Sequence, residues 1–104
     1  MSKQVRDTSA RDTVTLPVGA IAPAWELLRP LPVTISADED GWYVASDDVF
    51  QVYGDGETLA NAQHDYVISL IDYYLLVERD ALSGDVSAQC ELDRVQAYIH
   101  PQTR

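Results

Sequence analysis

The sequence predicts an α+β domain, with a three-stranded antiparallel sheet packed by one long helix and a short C-terminal helix. Three observations predict it. Between Pro32 and Tyr53, short runs alternate apolar and polar residues around acidic, glycine-containing turns. From Leu59 to Glu78, apolar residues recur at three- and four-residue steps, as an amphipathic helix requires. After Ser83-Gly84-Asp85 a second, shorter run has the same helical spacing.

Taken in order, residues 1–13 are rich in Ser, Thr, Asp, Arg and Gln and read as a mobile polar tail. Residues 14–104 then form one domain, entered by an arm. In the arm Val14, Leu16 and Val18 alternate with polar residues or proline, and Pro23 and Pro30 bracket Ala24–Arg29. That bracketed stretch fits either a helical turn or an extended segment. Val33 and Ile35 share one face of the first strand, with Thr34 and Ser36 on the other. Asp38-Glu39-Asp40-Gly41 is a tight turn, with Gly41 free to adopt a positive φ. Trp42–Ser46 is the returning strand. Asp47-Asp48 interrupts, Val49–Tyr53 is the third strand, and Gly54-Asp55-Gly56 ends it. Thr58 stands at a helix N-cap position, with Asp55 and Glu57 placing negative charge near the helix start. Leu59, Ala62, Tyr66, Leu70, Tyr73 and Val77 form the apolar stripe. Ile68 and Leu75 fall outside it, so more than one side of this helix calls for cover. The second helix spans Val86–Ile99 and is closed by His100-Pro101.

The composition bounds the function. With 104 residues the chain is of one-domain size, and its net charge of -10 comes from 17 acidic and 7 basic residues. Phosphate recognition needs clustered Lys and Arg, so direct nucleic-acid binding is not expected. An acidic surface serves solubility or steers association with a basic partner. The single cysteine, Cys90, forms no disulfide within the chain and lacks basic neighbours that would activate a thiolate. Residues 1–13 have no apolar signal-peptide core, and no apolar run is long enough to span a membrane. A cytoplasmic location is the expectation.

No motif carries chemistry. Asp38 and Asp40 precede Gly41, but the next strand begins before a calcium loop's remaining ligands could be placed. His64 and His100 have no partners at metal-ligand spacing. Gly54-Asp55-Gly56 precedes a helix, yet it lacks a third glycine and a lysine, and its acids would repel phosphate. No metal, no cofactor and no enzymatic activity are expected. Trp42 and Tyr43 are adjacent on a strand and should point to opposite sheet faces, leaving one on a surface fit for a partner unless a helix or the arm covers it.

Two stretches resemble the HicB-like antitoxin family: Asp40-Gly-Trp-Tyr-Val-Ala-Ser46, and Val52-Tyr-Gly-Asp-Gly-Glu-Thr-Leu59 followed by Ala62. The family pattern is an aromatic pair after a glycine turn, then Gly-x-Thr-Leu before a helix bearing alanine. The chain departs from it in three places. Asp47-Asp48 replaces a proline-containing connection, a second helix stands where a fourth strand is usual, and the residues after Ser83 are too few and too acidic for the family's DNA-binding unit. The resemblance implies a partial ribonuclease H-like fold, without its activity, and an interaction domain that neutralises a small basic RNA-cleaving toxin. Asp38, Glu39, Asp40, Trp42, Tyr43, Asp47 and Asp48 are the expected partner-binding residues. The alternative is a homo-oligomeric adaptor of the same fold, a dimer or larger, with Trp25, Tyr73 and Tyr74 at its interface.

Overall fold

A computed structural model of the chain describes residues 11–102. Its elements are β1 (Arg11–Leu16), β2 (Gly19–Ala22), β3 (Trp25–Leu27), β4 (Leu31–Ala37), β5 (Tyr43–Ser46), β6 (Tyr53–Gly56), α1 (Leu59–Leu82), α2 (Val86–Gln96) and β7 (Ile99–Pro101). They form two antiparallel sheets, one ordered β1-β4-β5-β6 and the other β2-β3-β7. The α+β class and both helices agree with the sequence pattern, whereas the sheet content is larger than the three expected strands.

The fourth strand of the main sheet comes from the segment expected to be tail and arm. Residues 11–13 belong to β1, and residues 1–10 lie outside the described residues. Along β1, Val14 pairs with Val33 and Leu16 with Leu31, which extends the apolar face of β4 by one strand. Thr13 and Thr15 occupy the opposite face, so a strand poor in apolar residues still fits a sheet edge with one polar side. The arm itself is extended. β2 and β3 form a hairpin whose turn holds Pro23 followed by Ala24 at φ 67. Proline then a positive-φ residue is the type II turn pattern.

β7 corrects the expected extent of the second helix. α2 stops at Gln96, and Ile99 is fully buried in a strand opposite Leu27. Pro101 keeps His100 out of helical geometry, and the Leu28 N–H donates to the Tyr98 carbonyl at 2.6 Å. The corner between the helices is short because it caps both. Asp85 and Gly84 donate to the Asp80 and Ala81 carbonyls at 3.2 and 3.1 Å, with Gly84 at φ +100. This is a Schellman closure. The Asp85 carboxylate then accepts from the Ala88 N–H at 3.1 Å and starts α2.

The core lies between the main sheet and α1. Val33 and Ile35 turn inward along β4, as expected, and Leu31 joins them at the start of the strand. α1 buries Ala62, Tyr66, Leu70, Tyr74, Val77 and Ala81. Leu59 of the expected stripe is exposed, because Thr58 caps the helix at the sheet's margin; its hydroxyl accepts from the Asn61 N–H at 3.0 Å.

The third strand is the largest correction. It runs over Tyr53–Gly56 and not Val49–Tyr53, so the glycines expected to end it are its inward-facing residues. A Cβ on Gly54 would lie 2.2 Å from the Tyr66 backbone nitrogen, and one on Gly56 would lie 2.6 Å from the Asn61 Cβ. Helix backbone therefore rests on strand backbone. Gly54→Ala is expected to lower stability by about 3 kcal/mol or more, since a helix cannot yield like a flexible side chain. Ala24→Gly, which relieves a positive φ, is expected to raise it by about 0.5–1 kcal/mol. Urea unfolding of the two variants beside the parent chain measures both effects.

Candidate interaction surface

The expected partner-binding residues lie at two ends of β5. The β4–β5 loop is built on Asp38, one carboxylate oxygen of which accepts from the Asp40 and Trp42 N–H groups at 2.9 Å each. Gly41, at φ +84, donates to the Asp38 carbonyl at 3.1 Å. Asp38, Glu39 and Asp40 are exposed at this tip, and Trp42 is 39% exposed beside them. Asp47 and Asp48 follow the other end of the strand, so these residues do not form one patch.

Tyr43 faces inward. It pairs with Gly56 on the helix side of the sheet and packs against the core. The outer face carries Thr34, Ser36, Val44 and Ser46, with Tyr53, 65% exposed, as its aromatic residue. The alternation argument that placed one of Trp42 and Tyr43 on the outer face fails because β5 begins only at Tyr43.

Asp47 is not a surface charge. It is 5% exposed, and its carboxylate accepts from the Phe50 and Val52 N–H groups at 3.1 and 3.2 Å and from the Tyr66 hydroxyl at 2.7 Å. Together with the Asp47 N–H donating to the Val52 carbonyl at 3.2 Å, this folds residues 47–52 into a closed loop instead of a strand. Gln51 takes φ 59 within it, and Phe50 and Val52 turn into the core. Asp48 is exposed. Burial first, then the bond to Asp47, pushes the Tyr66 phenol far above the usual tyrosine range.

The loop is also held from α2. Arg94 donates to both Glu91 carboxylate oxygens, at 2.9 and 2.8 Å, and to the Val49 carbonyl at 2.8 Å, and its guanidinium lies 4.7 Å above the Phe50 ring. Tyr73 donates its hydroxyl to Glu91. Burial, then that bond, raises the Tyr73 phenol to about 12, while Arg94 holds the Glu91 carboxyl below its ordinary value. Tyr73 is thus tied within the chain. Tyr74 is buried, with Trp25 packed edge-on at 5.1 Å between ring centroids and the Gln96 side-chain amide donating to its hydroxyl at 3.0 Å. Of the expected oligomer interface, Tyr74 is thus buried within this chain, while Trp25 and Tyr73 are half-buried.

Sequence reasoning missed a groove beside the free edge of β6. It is open, about 550 Å³, and bounded by Tyr53 and Asp55 on the strand and by Asp65, Asp72, Tyr73 and Leu76 on α1. Asp65 accepts from the Asp55 N–H at 3.0 Å, which occupies one outward-pointing donor of the edge strand. The missed signal was the spacing of Asp65, Asp72 and Leu76 along one flank of the helix, readable only once the third strand is placed correctly. His64 is exposed on α1 and Cys90 is exposed on α2. Among the described residues, no three His, Cys, Asp or Glu side chains gather as metal ligands, and no helix is long and apolar enough to cross a membrane.

No family model, curated protein or solved structure matches the chain.

Two outcomes follow from the Asp47 and Glu91 clusters. Asp47→Ala strands a buried phenol and two N–H groups, and is expected to lower stability by about 3 kcal/mol. Asp48→Ala, on an exposed side chain, should change it by less than about 0.5 kcal/mol, and thermal unfolding separates the two. Both raised phenols stay protonated in the fold. Their contribution is complete below the unfolded tyrosine value of about 10. It is lost as pH rises past that value toward the folded one, about 12 for Tyr73. Tyrosinate absorbance on alkaline titration should show Tyr66 ionising only as the chain unfolds, and Tyr66→Phe should flatten the alkaline loss of stability.

Proposed function

We propose that this chain is a non-catalytic protein-interaction domain that binds a small basic protein. On its resemblance to HicB-like antitoxins, we propose further that the partner is an RNA-cleaving toxin, neutralised in the cytoplasm. The groove beside β6 is the observation that carries the reading. It joins three carboxylates, Asp55, Asp65 and Asp72, to the exposed side chains of Tyr53 and Leu76. Aromatic and aliphatic side chains supply contact area, and the acids select a cationic counterpart.

The β4–β5 tip extends the same surface. Tyr43 pairs with Gly56, so the loop from Asp38 to Trp42 stands at the end of β6 where Glu57 follows. A basic partner lying along β6 would meet Asp55, then Glu57, then Glu39 and Asp40. Asp47 has no part in this contact, since its carboxylate is enclosed. A face of this sign also suits an RNA-binding protein, whose cationic surface would be masked by the complex. Charge pairing of this kind speeds encounter and is weakened by salt.

The test is capture by the tagged chain from its native cells at low salt, with elution by raised salt, followed by identification of the eluted partner. The expected partner is a small protein of high isoelectric point that cleaves RNA when free and stops when bound. The triple variant Glu39→Lys, Asp40→Lys, Asp55→Lys should weaken its binding at least about ten-fold. A partner that is acidic, or one held equally well by the triple variant, would refute the reading.

A further inference from the structure

We propose that the outer ridge of α1 is a seam at which two copies of this chain pair antiparallel. This goes beyond binding of a basic protein and rests on a different face. Ile68, Leu75 and Leu82 stand seven residues apart, and are 44%, 46% and 81% exposed. At 3.6 residues per turn this spacing keeps them in one nearly straight row, drifting about 20° per step. Ala62, Tyr66, Leu70, Tyr74, Val77 and Ala81, which face the sheet and α2, lie on the opposite side of the helix. The row spans about 21 Å, at 1.5 Å per residue. A row of exposed apolar residues, one per heptad, offers another helix a surface to pack against.

A second copy fits the row, and charge chooses its direction. Asp72 and Arg79 flank the row on one side. A two-fold axis at Leu75 sets Leu75 against its own copy, Ile68 against the partner's Leu82, and Asp72 beside the partner's Arg79. The symmetry makes both contacts twice. A parallel pair would instead carry the Asp72 and Arg79 of the two copies to opposite sides of the seam, where this opposite-charge pairing is lost. Arg79 is free to change partner: its contact with Asp80 is 3.6 Å long, and its side chain is 72% exposed. Each copy carries a net charge of -10, so association has to come from apolar burial with local pairing of opposite charges.

The test uses the purified full chain, without any basic partner, so its result does not depend on the groove. Sedimentation equilibrium across a micromolar range should give a species of twice the 11.6 kDa chain mass. Leu75→Glu should return it to monomer, with helicity and unfolding temperature matching those of dissociated parent chain. Asp72→Arg should weaken the dimer at least about ten-fold, and Asp72→Arg with Arg79→Asp should restore it. In a Cys90→Ser background, Leu75→Cys should cross-link to itself through a short bis-maleimide, whereas Leu82→Cys should not. A parent chain that is monomeric throughout overturns the proposal. So does a dimer that survives Leu75→Glu, or one that cross-links through Leu82→Cys alone. A monomer destabilised by Leu75→Glu also overturns it, because the row is then covered within the chain.

Discussion

The contact between the β6 backbone and the α1 backbone is the constraint on which the other arrangements depend. Strand and helix approach this closely only where the strand has no side chains, and Gly54 and Gly56 supply those two places. The approach sets the depth of α1 over the sheet and thereby brings the Tyr66 hydroxyl within 2.7 Å of Asp47. A larger residue at position 54 would lift the helix at Tyr66 itself, so the strand, the helix and the buried carboxylate are one geometric unit. The loop of residues 47–52 hangs from that unit, and Arg94 fastens it to α2 through the Val49 carbonyl and the Phe50 ring. The same approach forms the groove, since a helix lying low over the edge strand leaves its flank level with β6.

Asp47 explains why a stretch with strand-like residues is not a strand. Val49, Phe50 and Val52 have high strand propensity, and a ladder would satisfy their amides equally well. The carboxylate takes the Phe50 and Val52 N–H groups instead, and each bond to an ionised oxygen is worth about 1.5–3 kcal/mol against about 1 for a neutral one. Two such amides and one phenol together offset the desolvation of a buried charge, a cost of several kcal/mol. No cation is needed at Asp47 for this balance, and Arg94 spends its charge on Glu91. The result is a loop with Phe50 and Val52 turned inward, attached to a strand, β6, that begins only at Tyr53.

Much of this fold was readable in the sequence wherever local chemistry and tertiary demand agreed. The Val33–Ile35 alternation, the Gly41 turn, the Thr58 cap and the helical stripe of α1 each follow from residues within one element, and each stands in the structure. What escaped reading depended on partners far along the chain. β1 is polar, and becomes a strand because β4 offers it an edge. β7 is three residues long, and forms because Leu27 offers Ile99 a buried neighbour. Gly54 and Gly56 looked like punctuation, since a glycine that ends a strand and one that admits a helix are identical in sequence. The candidate surface was legible in sign but not in place. The exposed acids of the β4–β5 tip were visible as a cluster, while Asp55, Asp65 and Asp72 come together only through the β6–α1 contact.

Charge links the two proposed surfaces through one side chain. From residue 12 to residue 102 the chain holds sixteen acidic residues and three arginines. Arg94 is committed to Glu91, and Arg29 lies 4.7 Å above the Tyr98 ring. Arg79 is the cation left with only a long, solvated contact, and it stands beside the apolar row of α1. Asp72 borders both that row and the groove. In the proposed dimer the partner's Arg79 neutralises part of Asp72 and so reduces the groove's pull on a cationic protein. Binding of such a protein at Asp72 reduces, by the same amount of free energy, what that carboxylate contributes to pairing the helices, because coupling between two sites is reciprocal. Among residues 12–102, the one uncommitted arginine would in that dimer set self-association against capture of a basic partner. No moving part is required, since the competition is for a single carboxylate.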